Sequence, residues 1–129
     1  MPNLAIHTDK APEAIGPYSQ AIKGDQTVYL SGQIPLVPET MHLVSNDFKE
    51  QALQVFKNMK AVCTAAGGGL DDIVKLTILM MDLNDFSDLN EIMKSFFKEP
   101  YPARSTFQVA GLPKSALLEI EAIMIVDSQ

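Results

Sequence analysis

The chain has 129 residues, of which 47% are hydrophobic, and its formal net charge is −6. Folding a chain of this length buries roughly two-thirds of its extended surface, so residues 1–129 are expected to form one globular domain with its own core. The acidic balance, without any run of lysine or arginine, argues against electrostatic binding to nucleic acid or to an anionic membrane.

Cysteine and histidine usage narrows the functional classes further. A single cysteine, Cys63, excludes an internal disulfide and favours a reducing, cytoplasmic compartment. His7 and His42 lie far apart and no acidic or thiol cluster accompanies them, so no metal site is expected. The first residues lack the features of a signal peptide, and no apolar run reaches membrane-spanning length.

The first third of the chain predicts a β-hairpin. Residues 18–22 and 27–31 have strand composition, and Lys23-Gly24-Asp25-Gln26 between them supplies turn residues. Pro35 and Pro38 make the following stretch irregular as far as Leu43.

A helix is predicted next. Asp47 and Glu50 have the spacing of a capping box. Apolar residues then recur at intervals of three and four, which indicates one buried stripe: Phe48, Ala52, Val55, Phe56, Met59, Val62, Cys63 and Ala66. The glycines at 67–69 predict the end of this helix rather than a phosphate loop, because no lysine and Ser/Thr pair follows them.

The second half of the chain predicts three strands and one helix. Residues 73–81 form a strand that is apolar on both faces, with Val74, Leu76, Ile78 and Met80 on one of them. A helix over residues 86–97 follows, and then strands over 104–109 and 117–126.

The resulting order, ββ-α-β-α-ββ, predicts an α+β fold in which both helices cover one side of a sheet. The second sheet face still carries apolar side chains, namely Leu79, Met81, Ile123 and Ile125. No third helix is predicted to cover them. An uncovered apolar face of this size usually marks a subunit interface, so the pattern predicts a homo-oligomer.

Arg104 is the only arginine of the chain, and the other nine cationic side chains are lysines. A guanidinium offers a planar fork of donors that matches a carboxylate, and it stays charged when it is desolvated. The residue follows Pro100 and Pro102, which restrict the backbone ahead of it. Composition alone favours a surface or interface ion pair over a ligand site for Arg104.

Two carboxylates are the other candidates for chemistry. Glu119 and Glu121 share one face of an otherwise apolar strand. They form either a solvent-exposed strip or subunit ion pair, or a site in which an apolar setting raises a carboxyl pKa so that it shuttles protons near neutrality. Cys63 lies on the apolar helix stripe and is interpreted as core filling. No serine-elbow or zinc-protease motif is present.

Five ordered motifs, spread from about residue 16 to residue 126, resemble those of the RidA (YjgF) family. They are Gly16-Pro17-Tyr18-Ser19-Gln20-Ala21, Leu30-Ser31-Gly32-Gln33-Ile34-Pro35, Lys75-Leu76-Thr77, Pro102-Ala103-Arg104-Ser105 and Leu118-Glu119-Ile120-Glu121-Ala122. The resemblance implies a chorismate-mutase-like α+β fold, assembled as a homotrimer with clefts between subunits. It also implies a cofactor-independent enamine/imine deaminase. Such an enzyme hydrolyses the 2-imino acids released by PLP-dependent dehydratases, 2-iminobutanoate and 2-iminopropanoate, to 2-keto acids and ammonia.

The resemblance also assigns site residues. Arg104 matches the arginine that binds the substrate carboxylate, and Glu119 matches the glutamate associated with the attacking water. Tyr18 matches a tyrosine that closes the pocket from the neighbouring subunit. Three further positions match residues that line the pocket: Asn90, and the backbone of Gly32 and Thr106. Packing alone for Tyr18 and helix capping for Asn90 are the structural alternatives.

Three features depart from the family pattern. Thr106 stands where well-known members have cysteine, and the stretch between Phe97 and Tyr101 is about three residues shorter than in some deaminases. Residues 40–43 lack the usual Gly-Glu pair. The last two changes concern the expected pocket rim, so they affect substrate preference rather than the carboxylate anchor. The change at Thr106 is mild if that position contributes a backbone carbonyl rather than a side chain.

Three other functions remain open at this stage. Members of the family have been described as endoribonucleases that inhibit translation, but an acidic chain with one arginine has no visible phosphate-binding stripe. A non-catalytic regulator that binds small carboxylic acids would keep Arg104, and retention of Glu119 and Tyr18 counts against it. A holdase chaperone leaves Arg104 unexplained.

Overall fold

The computed structural model describes residues 2–127. Six strands and two α-helices form over this range: β1 (Leu4–Ile6), β2 (Ala21–Gly24), β3 (Thr27–Gln33), α1 (Phe48–Ala65), β4 (Ile73–Met80), α2 (Phe86–Phe96), β5 (Ala103–Gln108) and β6 (Leu118–Ile125). The order is βββ-α-β-α-ββ, so the α+β class predicted from the sequence is confirmed.

All six strands belong to one mixed sheet, in the order β1-β2-β3-β6-β4-β5. β4 and β5 are parallel, and α2 connects them as a crossover helix. The other neighbouring pairs are antiparallel. β6, the last strand in sequence, therefore lies in the middle of the sheet between β3 and β4. This position brings Glu119 next to residues from distant parts of the chain.

Both helices pack on one face of the sheet and form the core with it. The covered face carries fully buried side chains from three central strands: Val28, Leu76, Ile78, Met80, Leu118, Ile120 and Met124. α1 begins where the sequence predicts, because the Asp47 carboxylate accepts a hydrogen bond from the Glu50 N–H at 3.0 Å. It ends at the glycine run, where Gly67 adopts a left-handed φ of +92°.

The opposite face of the sheet has no helix over it within residues 2–127. Tyr29 and Phe107 are 55% and 54% exposed on this face, and Ile125 is 48% exposed. Leu79 pairs with Phe107 and Ile123 pairs with Tyr29, and both of these side chains are partly buried. The uncovered apolar face expected from the sequence is thus present, and we refer to it as the open face.

The strands differ from the sequence prediction in three details. The first predicted strand begins at Ala21 rather than at Tyr18. β1 was not predicted, because a three-residue edge strand that buries only Ile6 shows no periodicity in the sequence. Val74 is 44% exposed rather than in the core, because the register between β4 and β6 shifts between Ile73 and Lys75.

Candidate active site

A cleft of about 590 Å³ lies beside Glu119. Its walls come from four parts of the chain: the segment before β2, the end of β3 with the loop that follows it, the turn before β6, and β6 itself. Three of the residues assigned from the sequence line it, namely Tyr18, Gly32 and Glu119. A concave pocket of this size with a few polar groups is typical of a small-molecule site.

Gly32 allows Glu119 to sit against the β3 backbone. A Cβ atom built at Gly32 would lie 2.8 Å from Glu119 Cδ and 3.0 Å from Glu119 Cγ, distances that real Cβ atoms hardly ever show. The strand register shifts between Leu30 and Gln33, so the chain bulges at this point. The bulge and the missing side chain together create the space that the Glu119 carboxyl group occupies.

The environment of Glu119 favours its protonated form. Burial in the cleft raises the pKa of the Glu119 carboxyl above its ordinary value of 4.5, and the negative charge of Glu121 raises it further. Glu121 lies two residues further along the same strand face and is exposed. Of the two candidate carboxylates, Glu119 is the one that lines the cleft, and its raised pKa marks it as a candidate for proton transfer.

Tyr18 lies at the cleft rim and is 53% exposed. Its hydroxyl oxygen accepts a hydrogen bond from the Ile15 N–H at 3.3 Å. The segment is held from below by the buried Gln20 side chain, whose Nε2 donates to the carbonyl oxygens of Pro12 at 2.8 Å and Thr8 at 3.0 Å. The polar residues of the first motif therefore shape one wall of the cleft.

Arg104 lies outside this cleft, on β5 and against α2. The guanidinium carbon is 4.9 Å from the centre of the Phe86 ring, and Nη1 donates to Met93 Sδ at 3.0 Å. No carboxylate of residues 2–127 forms an ion pair with it. Burial lowers the pKa of the Arg104 guanidinium, because desolvation opposes its charge. The surface ion pair suggested by composition is therefore absent from the described part of the chain.

Two other assigned residues accompany Arg104. Asn90 follows Phe86 by four residues and precedes Met93 by three on α2, so these three share the helix face that meets Arg104. Thr106 lies two residues after Arg104 on β5 and therefore shares its sheet face. The Thr106 hydroxyl oxygen is buried and has no hydrogen-bond partner among residues 2–127. Arg104 and Thr106 thus place a cation without an ion-pair partner and a hydroxyl group without a hydrogen-bond partner, both within residues 2–127, on the same sheet face.

The sheet separates the two groups of candidate residues. Arg104 is in register with Leu76, a fully buried residue of the helix-covered face. Glu119 is in register with Leu79, which in turn pairs with Phe107 of the open face. Since alternate residues of a strand point to opposite faces, the side chains of Arg104 and Glu119 project from opposite faces of one sheet. Within one chain the two side chains therefore do not meet in one site.

A comparison with protein-family models matches residues 8–126 to the family described as Endoribonuclease L-PSP. This is the RidA (YjgF) family that the motifs resemble. The chain belongs to it. Among curated proteins, the human relative named 2-iminobutanoate/2-iminopropanoate deaminase is 51% identical over 120 residues, which cover 93% of this chain and 88% of the relative. A relative of the same name from Dermatophagoides farinae is 48% identical and covers 98% of both chains.

Solved structures of the RidA family have the same fold. RidA from an Antarctic Psychrobacter species superposes with a TM-score of 0.93 at 54% identity, covering 95% of this chain and 99% of that one. The structure of E. coli TdcF with bound serine superposes with a TM-score of 0.91 at 46% identity, covering 96% of this chain and 99% of that one. The family fold expected from the motifs is therefore confirmed.

The structure also locates features that depart from the family pattern. Met41, in the altered 40–43 loop, lines the cleft with a left-handed φ of +61°. Lys114, at another part of the rim, has a φ of +56°. Strained backbone thus borders the cleft on two sides. The short stretch after Phe97 lies elsewhere, at a small depression of about 130 Å³.

Cys63 is buried in the core, and burial raises the pKa of its thiol to about 12. A thiol in this state is a poor nucleophile, in agreement with its interpretation as core filling. Within residues 2–127, no group of three acidic, histidine or cysteine side chains is arranged to hold a metal ion. None of the helices in that range is long and apolar enough to cross a membrane.

The burial of five amides was missed by the sequence interpretation: Gln20, Gln33, Gln51, Gln54 and Asn58. A signal for the last three was present, because they lie at helical spacing among the apolar residues of α1. A polar side chain at a core position of a helix indicates a specific hydrogen-bond partner.

Proposed function

We propose that this protein is a cofactor-independent deaminase that hydrolyses 2-imino acids to 2-keto acids and ammonia, at sites shared between the subunits of a homotrimer. The observation that carries the proposal is Arg104, a desolvated guanidinium without an ion-pair partner in residues 2–127. A carboxylate is the ligand that such a group binds best. The deaminase named at 51% identity and the TdcF structure with bound serine support a small amino-acid-like substrate.

The chemistry needs few groups, because the carbon of a protonated imine is already electrophilic. Arg104 holds the substrate carboxylate and fixes its orientation. The Glu119 carboxylate accepts a proton from water as the water oxygen bonds to the imine carbon, which gives a carbinolamine. The protonated Glu119 then returns a proton to the nitrogen. As the C–N bond breaks and the C=O bond forms, ammonia leaves and the hydroxyl proton of the carbinolamine passes to the Glu119 carboxylate. A carboxyl pKa raised toward neutrality suits both steps.

The separation of Arg104 and Glu119 by the sheet supports a site built from two subunits. A substrate small enough to be a 2-imino acid cannot reach through the sheet from one side chain to the other. A second copy packed on the open face would cover Tyr29, Phe107 and Ile125 and bring a second edge of β5 near the cleft. In a cyclic trimer each cleft would then take Glu119 and Gly32 from one subunit and Arg104, Asn90 and Thr106 from the next.

A mixing experiment tests the shared site. Arg104→Ala and Glu119→Gln are each expected to be inactive. If they are unfolded together and refolded at equal amounts, about one-quarter of all sites regain both wild-type residues, because about one site in three is restored in each trimer that contains both variants. Activity of that order, with a native mass of three chains by light scattering, is the expected result. A monomer at micromolar concentration, or no activity after mixing, contradicts the shared site.

The activity itself is tested by adding purified protein to a PLP-dependent threonine or serine dehydratase and following keto-acid formation. We expect the protein to accelerate the release of keto acid beyond the rate of spontaneous imine hydrolysis. A protein that binds 2-oxobutanoate but does not accelerate this step would instead be a carboxylate-binding regulator. The cytoplasm is the proposed compartment, supported by the single buried cysteine.

Ribonuclease activity is the second candidate function, because the matching family is described as Endoribonuclease L-PSP. The net charge of −6 and the single arginine favour the deaminase, because RNA backbones are bound mainly through clustered cations. RNA cleavage that co-elutes with the protein and is lost in Arg104→Ala would reverse this ranking. We expect none above background.

A further inference from the structure

The polar side chains that are buried in residues 2–127 are all amides, and none is charged: Gln20, Gln33, Gln51, Gln54 and Asn58. Gln51, Gln54 and Asn58 come from α1, at positions i, i+3 and i+7, so they lie along one helix face. Burial of an amide is unfavourable unless its hydrogen bonds are made inside the protein. The partners of these amides are therefore informative.

Gln51 binds the backbone at the start of β6. Its Oε1 accepts a hydrogen bond from the Leu117 N–H at 2.8 Å, and its Nε2 donates to the Ser45 carbonyl oxygen at 2.8 Å. The Leu117 carbonyl oxygen accepts in turn from the Met81 N–H at 3.0 Å. Leu117 is thus held on both sides, two residues before Glu119. Any movement of this backbone would carry the Glu119 carboxyl group with it.

Asn58 binds the loop that follows Gly32. Its Nδ2 donates to the Leu36 carbonyl oxygen at 2.9 Å and lies 3.4 Å from the Ile34 carbonyl oxygen. Its Oδ1 accepts from Gln54 Nε2 at 2.9 Å, which fixes the orientation of the amide. Ile34 and Leu36 both line the cleft, outside any strand longer than an isolated bridge. Asn58 therefore fixes the position of residues 34–36 in the cleft wall, where regular strand pairing does not fix them.

These contacts join two walls of the cleft to one helix. An apolar residue at either position would leave the Leu117 N–H, or the Leu36 carbonyl oxygen, without its side-chain partner, so each amide holds the backbone of one cleft wall as well as filling space on α1. We propose that Gln51 and Asn58 are positioning residues: Gln51 sets where Glu119 stands for catalysis, and Asn58 sets the wall against which the substrate side chain rests. This inference rests on the proposed function and assigns no direct contact with substrate to either residue.

The two residues are expected to affect different kinetic constants. Gln51→Met keeps the length of the side chain and loses both hydrogen bonds, so it should lower kcat about tenfold with little change in 2-oxobutanoate affinity. Asn58→Leu keeps the volume and loses the loop contact, so it should raise KM and weaken 2-oxobutanoate binding, each about tenfold, with a smaller change in kcat. Val62→Ala is the matched control, because Val62 is fully buried on α1 and lines no part of the cleft.

The expected result is that Val62→Ala lowers the melting temperature but leaves kcat and KM within about twofold of wild type. If all three variants lose activity in proportion to their melting temperatures, or if Gln51→Met and Asn58→Leu keep wild-type constants, the positioning role is wrong. Should Gln51→Met not fold, Gln51→Glu is measured instead. A protonated carboxyl group keeps both hydrogen bonds, whereas an ionised carboxylate cannot donate to the Ser45 carbonyl oxygen, so kcat should fall as this carboxyl group ionises, and a pH profile of kcat like that of the wild type would contradict the role of Gln51.

A wild-type protein without deaminase activity would refute the proposed function. The contacts of Gln51 and Asn58 would then be tested by two other measurements. The first is 2-oxobutanoate affinity by calorimetry. The second is amide hydrogen exchange, which should accelerate at residues 117–119 in Gln51→Met and at 34–36 in Asn58→Leu, and at neither in Val62→Ala. Unchanged exchange at both segments would overturn the inference whatever the enzyme does.

Discussion

Arg104 and Glu119 carry opposite charges on opposite faces of one sheet, and burial opposes the charged form of each. Burial lowers the pKa of the Arg104 guanidinium and raises that of the Glu119 carboxyl, so both charged forms are disfavoured. Neither has an ion-pair partner within residues 2–127. A fold selected only for stability would expose or pair such groups. Two unpaired, desolvated charges are what the proposed shared site requires, because a ligand and a neighbouring subunit would complete each of them.

The surroundings of the two residues differ in a way that suits their proposed roles. Arg104 rests on the Phe86 ring and on Met93, so its stem is fixed while other donors of the fork stay available to a carboxylate. Glu119 rests on the backbone of Gly32 in a cleft. The surroundings of Arg104 suit the binding of a carboxylate, and the cleft around Glu119 leaves room for a water molecule.

Arg104→Lys tests the first half-site and should have the largest effect. Lysine keeps the charge but cannot present two parallel donors, so the substrate loses its orientation, and kcat/KM should fall on the order of 10³-fold. The measurement is keto-acid release in the coupled dehydratase assay, with circular dichroism and native mass to show that the fold is kept. Near-wild-type turnover in this variant would mean that Arg104 is not the carboxylate anchor.

Glu119→Gln tests the second half-site. The neutral amide cannot accept the proton of the attacking water, so turnover should fall roughly 10²-fold. Affinity for 2-oxobutanoate, measured by calorimetry, should change little, because Arg104 supplies the binding. Glu121→Gln is the matched control, since Glu121 shares the strand face but is exposed. Equal losses in the two variants would make Glu119 a structural residue.

Much of this architecture could be predicted from the sequence. The apolar stripe of α1, the glycines that end it and the alternation in β6 each follow from local periodicity, and all three are present. The open face was also predictable, because Ile123 and Ile125 alternate with buried residues on β6. Local pattern is sufficient where burial repeats along a segment.

The arrangement of the site was not predictable in the same way. The order of strands decides which residues are neighbours, and the register decides the face on which Arg104 and Glu119 lie; neither is encoded in local periodicity. The buried amides Gln51 and Asn58 were missed for a related reason. Their partners lie 66 and 22 residues away in sequence, at Leu117 and Leu36.

Gly32→Ala tests the contact that shapes the Glu119 half-site. The added Cβ atom would lie 2.8 Å from Glu119 Cδ, so the carboxyl group must move, and turnover should fall about tenfold. Gly69→Ala is the matched control, because nothing lies within 4 Å of a Cβ atom at Gly69 and its φ of −150° suits any residue. Similar activity in both variants would show that the position of Glu119 tolerates a displacement.

The smallest effect expected is a pH-dependent change in stability. Because the pKa of Glu119 is raised in the folded chain above its ordinary value of 4.5, the folded state holds this proton more tightly than the unfolded state. Stability should therefore decline as pH rises from about 4.5 through the folded pKa, and stay reduced above it. Glu119→Gln removes the ionisation and with it the decline.

The comparison is best made in an Arg104→Ala background, where no guanidinium of a neighbouring subunit can offset the Glu119 charge. At pH 7, Glu119→Gln should then raise the melting temperature by about 2 °C, whereas at about pH 3, where Glu119 is protonated in both states, it should not. With Arg104 restored, the gain at pH 7 should shrink if the neighbour's Arg104 approaches Glu119. If Glu119→Gln raises the melting temperature equally with and without Arg104, the two residues are too far apart to share a substrate. The shared site requires the neighbour's Arg104 to lie close to Glu119, so this result would contradict it.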